Sequence, residues 1–429
     1  MPVLSQEKNI HRTNKVFVPG GLPKLTYNPR NSLDLEKHLR KANDNLCKLV
    51  MVTGSTKSGK TVLTKTVFEK GKSVWFDGGA FNSEEDLWND IAEQLELSVG
   101  ESRTQSTSNN SNIVIGAGLQ TSLFPVKGKI DGSKTDGTTN ANSVTKTTKR
   151  SAKALCLEAL NERQTPLVID DFHYIPRTSQ GNIVRALKAV IYEGAPVIFL
   201  AIPHRRLDAV KVEREMTGRV ETIQVPVWEL EELCEIARIG FPLLNVKVSS
   251  KIIDSFANEA IGSPHLMQEF CRELCSANQI DETLKLEKSI EEAPMDMLFK
   301  KVAIGTGKIM FDKLSKGPRQ RSDRIQRTLK DGRQTDIYGL VLQALAEIKP
   351  GMAKVDYEEL RTKMRDIISE KPPAAHEISR VLDHMSNIAS SDESSTPVLD
   401  WEKEDRTLHI TDPFFAYYLR WGIETTKHN

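Results

Sequence analysis

Eight consecutive residues, Gly54-Ser55-Thr56-Lys57-Ser58-Gly59-Lys60-Thr61, have the types and spacing of a loop that wraps phosphate. Gly54 and Gly59 let the backbone curl closely around an anion. The N–H groups of the turn and of the helix that follows then point at it. The Lys60 ammonium can reach β and γ oxygens, and the Thr61 hydroxyl can hold Mg²⁺. A second pair, Asp170-Asp171, ends the apolar run Leu167-Val168-Ile169. Asp170 suits a magnesium site, acting through coordinated water. Asp171 suits a group that orients or deprotonates an attacking water; a plain helix N-cap is its alternative. Phosphoryl transfer spreads charge over the γ oxygens and calls for more cations. Arg205, within His204-Arg205-Arg206, and Arg214 and Arg219 are candidates, with Arg219 able to act in trans across an oligomer interface. A surface salt bridge is the alternative for each. His173 reads as a sensor of the γ phosphate or of a neighbouring subunit, or as a structural hydrogen-bonding group.

These groups need a scaffold. Apolar strand patterns at 48–52, 73–77, 166–173, 196–202 and 220–225 alternate with helical patterns. Such alternation implies a parallel sheet with helices on both faces, here an α/β core over 31–226. Within it, residues 98–150 interrupt the pattern. Their flanks are rich in Ser, Thr, Gln and Asn and cannot form a core. The glycine-interrupted apolar stretch 113–126 between them reads as a surface excursion or as an interaction hairpin. Residues 1–30, with Gly20, Gly21, Pro23 and Pro29, read as an irregular arm. Residues 227–295 read as a helical lid and 296–334 as a charged linker. In that linker Arg321, Arg324, Arg327 and Lys330 are three apart and would form a basic stripe on a helix. Residues 335–424 carry three helical patterns, a hairpin and an aromatic terminal helix, which is the winged-helix pattern. The terminal aromatics, Phe414, Phe415, Tyr417, Tyr418 and Trp421, read as core.

The chain has 429 residues, 38% apolar and 27% charged, with a formal charge of +1. That is a soluble balance, and the net charge neither supports nor excludes a nucleic-acid partner. The polar start carries no secretory pattern, and no run of about 18 apolar residues marks a membrane span. Together with five cysteines, this points to a reducing cytoplasm and no membrane partner. Cys271 and Cys275, one helical turn apart, read as core packing rather than zinc ligands.

The two chemical clusters resemble the Walker A and Walker B elements of P-loop ATPases of the AAA+ and STAND classes, especially their origin-recognition-like and archaeal or bacterial signalling branches. Tyr27-Asn28-Pro29-Arg30 looks like the segment on the adenine side of the nucleotide. Ile202-Pro203-His204-Arg205 lies at the sensor-one position and is closer to the arginine-bearing STAND form. Gly218-Arg219-Val220 resembles the segment that carries an arginine finger. Gly262-Ser263-Pro264-His265 is similar to the lid motif whose proline packs on adenine, although the sensor-two arginine of AAA+ proteins is missing. The stretch 412–421 resembles the end of the winged-helix region. Lys60 and Asp170 lie 110 residues apart; this exceeds the family's usual spacing, and the insertion accounts for the excess.

The resemblance implies an α/β P-loop NTPase core with a parallel sheet, a helical lid and a C-terminal winged-helix domain. It implies ATP and Mg²⁺ at Gly54, Ser55, Thr56, Lys57, Ser58, Gly59, Lys60 and Thr61, with Arg30 and Pro264 beside the base. It also implies a molecular switch that hydrolyses ATP and acts as a homo-oligomer with a protein partner or a separate effector chain. A DNA-bound loader or transposition-type ATPase is the second reading, resting on the basic tract and on His376, Arg380 and His384. A nucleotide-binding scaffold with negligible turnover is the third.

Overall fold

The computed structural model describes residues 9–44, 46–69, 71–98, 103–105, 146–148, 151–202, 216, 218–318, 324–349, 351, 354–390 and 397–423. The apolar stretch 113–126 and Arg205 lie outside the described residues.

Five strands form one parallel sheet: β1 (Leu49–Thr53), β2 (Val74–Asp77), β3 (Leu167–Asp170), β4 (Val197–Ala201) and β5 (Val220–Gln224). Their order is β2-β3-β4-β1-β5. Alternate side chains leave the sheet on opposite faces. Leu49, Met51, Ile169 and Phe199 enter one buried cluster, while Val50, Val52, Val168 and Leu200 enter the other. Both faces are covered, which explains why the inner strands β1, β3 and β4 are apolar runs, while the edge strand β5 exposes Glu221, Thr222 and Gln224. Helices α1 (Leu35–Arg40) and α2 (Lys60–Val67) cover one face. Helices α3 (Glu84–Gln94), α4 (Ala152–Arg163) and α5 (Arg177–Tyr192) cover the other. A short antiparallel pair, Arg103–Gln105 with Lys146–Thr148, is described within the insertion.

The lid contains α6 (Leu230–Leu243), α7 (Ser250–Glu259) and α8 (Pro264–Ala277). Cys234, Cys271 and Cys275 are buried in its core. The irregular N-terminal arm is docked on the lid. Val16 and Phe17 are fully buried in the lid core. The Phe17 ring fills the space beside Gly240, where a Cβ would come within 2.3 Å of it. A short helix, Thr13–Val16, precedes the glycine and proline breakers, and it carries the first of the two apolar anchors that docking buries.

The expected charged linker begins as a helix, α9 (Met295–Lys316). It crosses the terminal helix at Gly307, where a Cβ would meet Tyr418 Cβ at 2.3 Å. The expected basic stripe does not form among the described residues. Arg327–Thr328 pairs antiparallel with Gln334–Thr335, and the chain reverses at Gly332, φ +85°. Arg324 pairs with Asp336 at 2.7 Å and Arg327 with Glu377 at 3.7 Å. The three-residue spacing misled because Arg327–Thr328 is extended and paired in a strand, and the turn follows at 330–332. Arg321 is outside the described residues.

The C-terminal domain has α10 (Ile337–Ile348), α11 (Tyr357–Ile367) and α12 (Ala375–Ser390). Strands β6 (Lys354–Asp356), β7 (Leu399–Glu402) and β8 (Thr407–Ile410) form its antiparallel wing, in the order β6-β8-β7. Helix α13 (Pro413–Trp421) follows the wing. Its Phe415 joins the winged-helix core, whereas Tyr417 and Tyr418 join the lid core. Lid and winged helix are thereby packed through one shared helix.

Candidate functional site

The loop joins the C-terminal end of β1 to the start of α2, where ligands collect on open α/β sheets. Gly54 is required by space: a Cβ there would lie 2.7 Å from the Val225 carbonyl oxygen. Gly59 is required by its backbone, with φ +94°. Lys60 is buried and donates to the carbonyls of Gly54 and Ser55, each at 2.9 Å. Burial lowers its pKa, opposed by the charges of Asp171 and Asp170. The hydroxyls Thr56 Oγ1 and Ser58 Oγ are buried without a hydrogen-bond partner among the described residues. Orphaned donors in a glycine loop fit phosphate oxygens.

Strand β3 delivers the carboxylates to the same end of the sheet. The Thr61 hydroxyl favours the ionised form of Asp170, and the Asp171 N–H donates to Asp170 Oδ1 at 3.0 Å. Burial raises the Asp170 pKa against these hydrogen bonds. Asp171 is raised to about 6 by burial and by neighbouring Asp170. Its backbone is left-handed, φ 47°, and its side chain makes no capping hydrogen bond. The N-cap alternative therefore does not describe it. Thr61 and Asp170 offer hard oxygen donors of the kind Mg²⁺ takes.

Sequence reasoning missed a third carboxylate. Asp77 ends β2, is paired in register with Asp170, and its charge raises both Asp170 and Asp171. The only signal was the following Gly78-Gly79. A Cβ on Gly78 would lie 2.4 Å from the Asp171 carbonyl oxygen, so glycine lets the two strand ends pass.

A cavity of about 570 Å³ opens over the loop. It brings together Thr56, Lys57, Ser58, Gly59, Lys60 and Thr61 with Arg30, Asp171 and Pro264. Arg30 is buried and ion-paired with Glu232 at 2.7 Å. It also donates to the Pro226 and Val227 carbonyls at 2.8 and 3.1 Å. Its guanidinium thus ties the N-terminal segment to the core–lid joint, leaving cavity shape as its contribution. Pro264 is the first residue of α8, behind the N-cap Ser263. Gly262 before it, φ +66°, has no room for a Cβ, which would lie 2.0 Å from Val227 Cγ1.

Arg219 is elsewhere. It precedes β5, whose first residue is in register with Leu49 at the start of β1. The length of the sheet, about 17 Å for five residues, separates it from the loop of its own chain. Its guanidinium lies over the Tyr192 ring, 5.5 Å from the centroid.

The winged-helix domain also reaches the loop, which no sequence pattern indicated. Lys57 pairs with Asp412 at 2.5 Å, and its ammonium lies 3.5 Å from the Phe414 ring centroid. Asp412 uses its other oxygen to cap α13, accepting from Phe414 and Phe415 N–H at 2.8 and 2.9 Å. His265 of α8 packs edge-on against Phe414, with centroids 4.7 Å apart. Burial and the Lys57 charge lower its pKa to about 4.

No family model and no curated protein matches the chain. Solved structures do. The ORC2 protein of Aeropyrum pernix is 13% identical with a TM-score of 0.49, covering 94% of this chain and 95% of that one. A Walker-type ATPase of Pyrococcus abyssi is 13% identical with a TM-score of 0.49, covering 90% and 94%. A STAND protein with a tetratricopeptide repeat sensor from Pyrococcus horikoshii is 13% identical with a TM-score of 0.36, covering 91% and 42%. Among the described residues no helix is long and apolar enough to cross a membrane. From its own sheet order and loop geometry, the chain is an α/β protein with a P-loop NTPase core, a helical lid and a C-terminal winged-helix domain.

Proposed function

We propose that this protein is an ATP-hydrolysing molecular switch. One observation carries the reading: Lys60 and Thr61 at the start of α2 meet Asp170 and Asp171 at the end of β3, beside orphaned loop hydroxyls. The loop N–H groups, Thr56 and Ser58 bind the phosphates of ATP. Lys60 exchanges the Gly54 and Ser55 carbonyls for phosphate oxygens. Thr61 and Asp170 would hold Mg²⁺, which neutralises charge on the phosphates when bound. Asp171, ionised above about pH 6, orients the attacking water and takes its proton. Arg219 serves the site of a second copy in a homo-oligomer, and Arg205 is a further cation for the γ phosphate. Release of phosphate from Mg·ATP, measured with and without EDTA, tests the reading. Expected is 1:1 binding and turnover that chelation abolishes; no binding of ATP or ADP at 1 mM would sink it.

The switch element is the body formed by lid and winged helix. Phosphate and Asp412 are competing anions for the Lys57 ammonium, so nucleotide and domain contact oppose each other. Asp412→Asn tests this coupling, because asparagine keeps the helix cap and removes only the charge. The expected result is ATP binding tighter by about fivefold, from an interaction on the order of 1 kcal/mol, with faster proteolysis between lid and core. Unchanged affinity and unchanged cleavage would separate Asp412 from the switch. The output passes to a protein partner or a separate effector chain. The DNA-loader reading is less favoured, since Arg324 and Arg327 are paired with carboxylates.

A further inference from the structure

Trp228 is not part of either chemical cluster, yet it touches three bodies at once. Its indole Nε1–H donates to the Ser58 carbonyl of the phosphate loop at 2.8 Å. Its backbone N–H donates to the Gly262 carbonyl at the start of the lid motif, at 3.3 Å. The Arg30 guanidinium lies over its ring, 4.9 Å from the centroid, and is itself held by Glu232 and two carbonyls.

The consequence follows from peptide geometry. In a trans peptide the C=O and the next N–H point in opposite directions, and no described peptide is cis. The indole, which lines the same cavity as the loop, therefore holds the Ser58–Gly59 plane and turns the Gly59 N–H away from itself. Gly59, at φ +94°, has the backbone freedom to rotate this plane, so the loop by itself does not lock it. An N–H aimed at phosphate before the ligand arrives saves the reorganisation that binding would otherwise require.

We infer that Trp228 is a positioning residue for phosphate recognition, holding the Ser58–Gly59 peptide so that its N–H faces the β-phosphate of a nucleoside diphosphate or triphosphate. This rests on the nucleotide reading of the loop. It adds a lid-linked residue that decides how strongly the phosphate end is held. Because the same residue binds Gly262, displacement of the lid motif carries the loop peptide with it.

Trp228→Phe removes the donor and keeps a ring under Arg30; Trp228→Ala removes both. Calorimetric titration of full-length wild type and both variants with Mg·ADP, and with AMP as the probe lacking a β-phosphate, separates the roles. For Trp228→Phe the expected result is about tenfold weaker ADP binding, unchanged AMP binding and a melting temperature close to wild type. Trp228→Ala should lower the melting temperature and weaken both ligands. If Trp228→Phe keeps the ADP-over-AMP preference within twofold, the inference is overturned. It is equally overturned if both ligands weaken together, the mark of a support with no phosphate role. A wild type that binds neither nucleotide overturns the functional reading itself, and the inference with it.

Discussion

Asp171→Asn is expected to lower turnover by about 10²–10⁴-fold, the range for loss of a general base, while ATP still binds. Asparagine has nearly the same shape, and the side chain it replaces makes no capping bond that the fold depends on. Binding should tighten slightly, because one negative charge beside the phosphates is gone. The pH profile supplies the sharper check. Only the ionised carboxylate accepts a proton from water, and Asp171 is raised to about 6. Wild-type turnover should fall as pH drops through about 6, and the residual turnover of the variant should lack this limb. Stability has its own sign. A carboxyl whose folded pKa is raised above the unfolded 3.8 stabilises the fold fully below pH 3.8. That contribution is lost as pH rises through about 6. At pH 8 the wild type carries a buried charge whose burial and repulsion by Asp170 outweigh its attraction to Lys60, so Asp171→Asn should melt at a higher temperature there, with the gap closing towards pH 4. Turnover within threefold of wild type would remove Asp171 from the chemistry.

Lys60→Ala should abolish the stabilisation that nucleotide confers. A ligand at one hundred times its dissociation constant stabilises a one-site protein by about 2.7 kcal/mol, a shift that thermal melts resolve. The variant should show none at the same ATP concentration. The ligand-free protein should melt near the wild-type temperature. Lys60 is buried at a cost reflected in its lowered pKa, and this offsets the two carbonyl bonds it makes. A variant that loses affinity and also fails to fold would show a large drop in its ligand-free melt, so the two causes are separable. An undiminished nucleotide shift would mean that the loop is not the binding site.

The core was legible because its signals are local. An apolar run, a glycine turn and a helix start are contiguous in the chain. The carboxylates at the end of Leu167–Asp170 were legible for a related reason: strands of a parallel sheet present their C-terminal ends together, so Asp170 and Asp171 had to rise beside the loop. The winged helix was legible from three helical periods and a hairpin. The strand Lys354–Asp356 was not, since three residues carry too little alternation to register. The stripe of Arg324, Arg327 and Lys330 failed in the other direction, as spacing implied a helix where Gly332 turns the chain.

The sequence by itself determined the glycine loop on which the phosphate proposal rests, because backbone curvature and side-chain reach lie within eight residues. Only the tertiary structure decided what touches that loop. Lys57 and Asp412 are 355 residues apart, and Ser58 and Trp228 are 170 apart; nothing periodic connects such positions. It also decided that Arg219 belongs to the far end of the sheet and that Arg30 is a structural tie. Both follow from strand register and docking, and these exist only once the buried faces have packed.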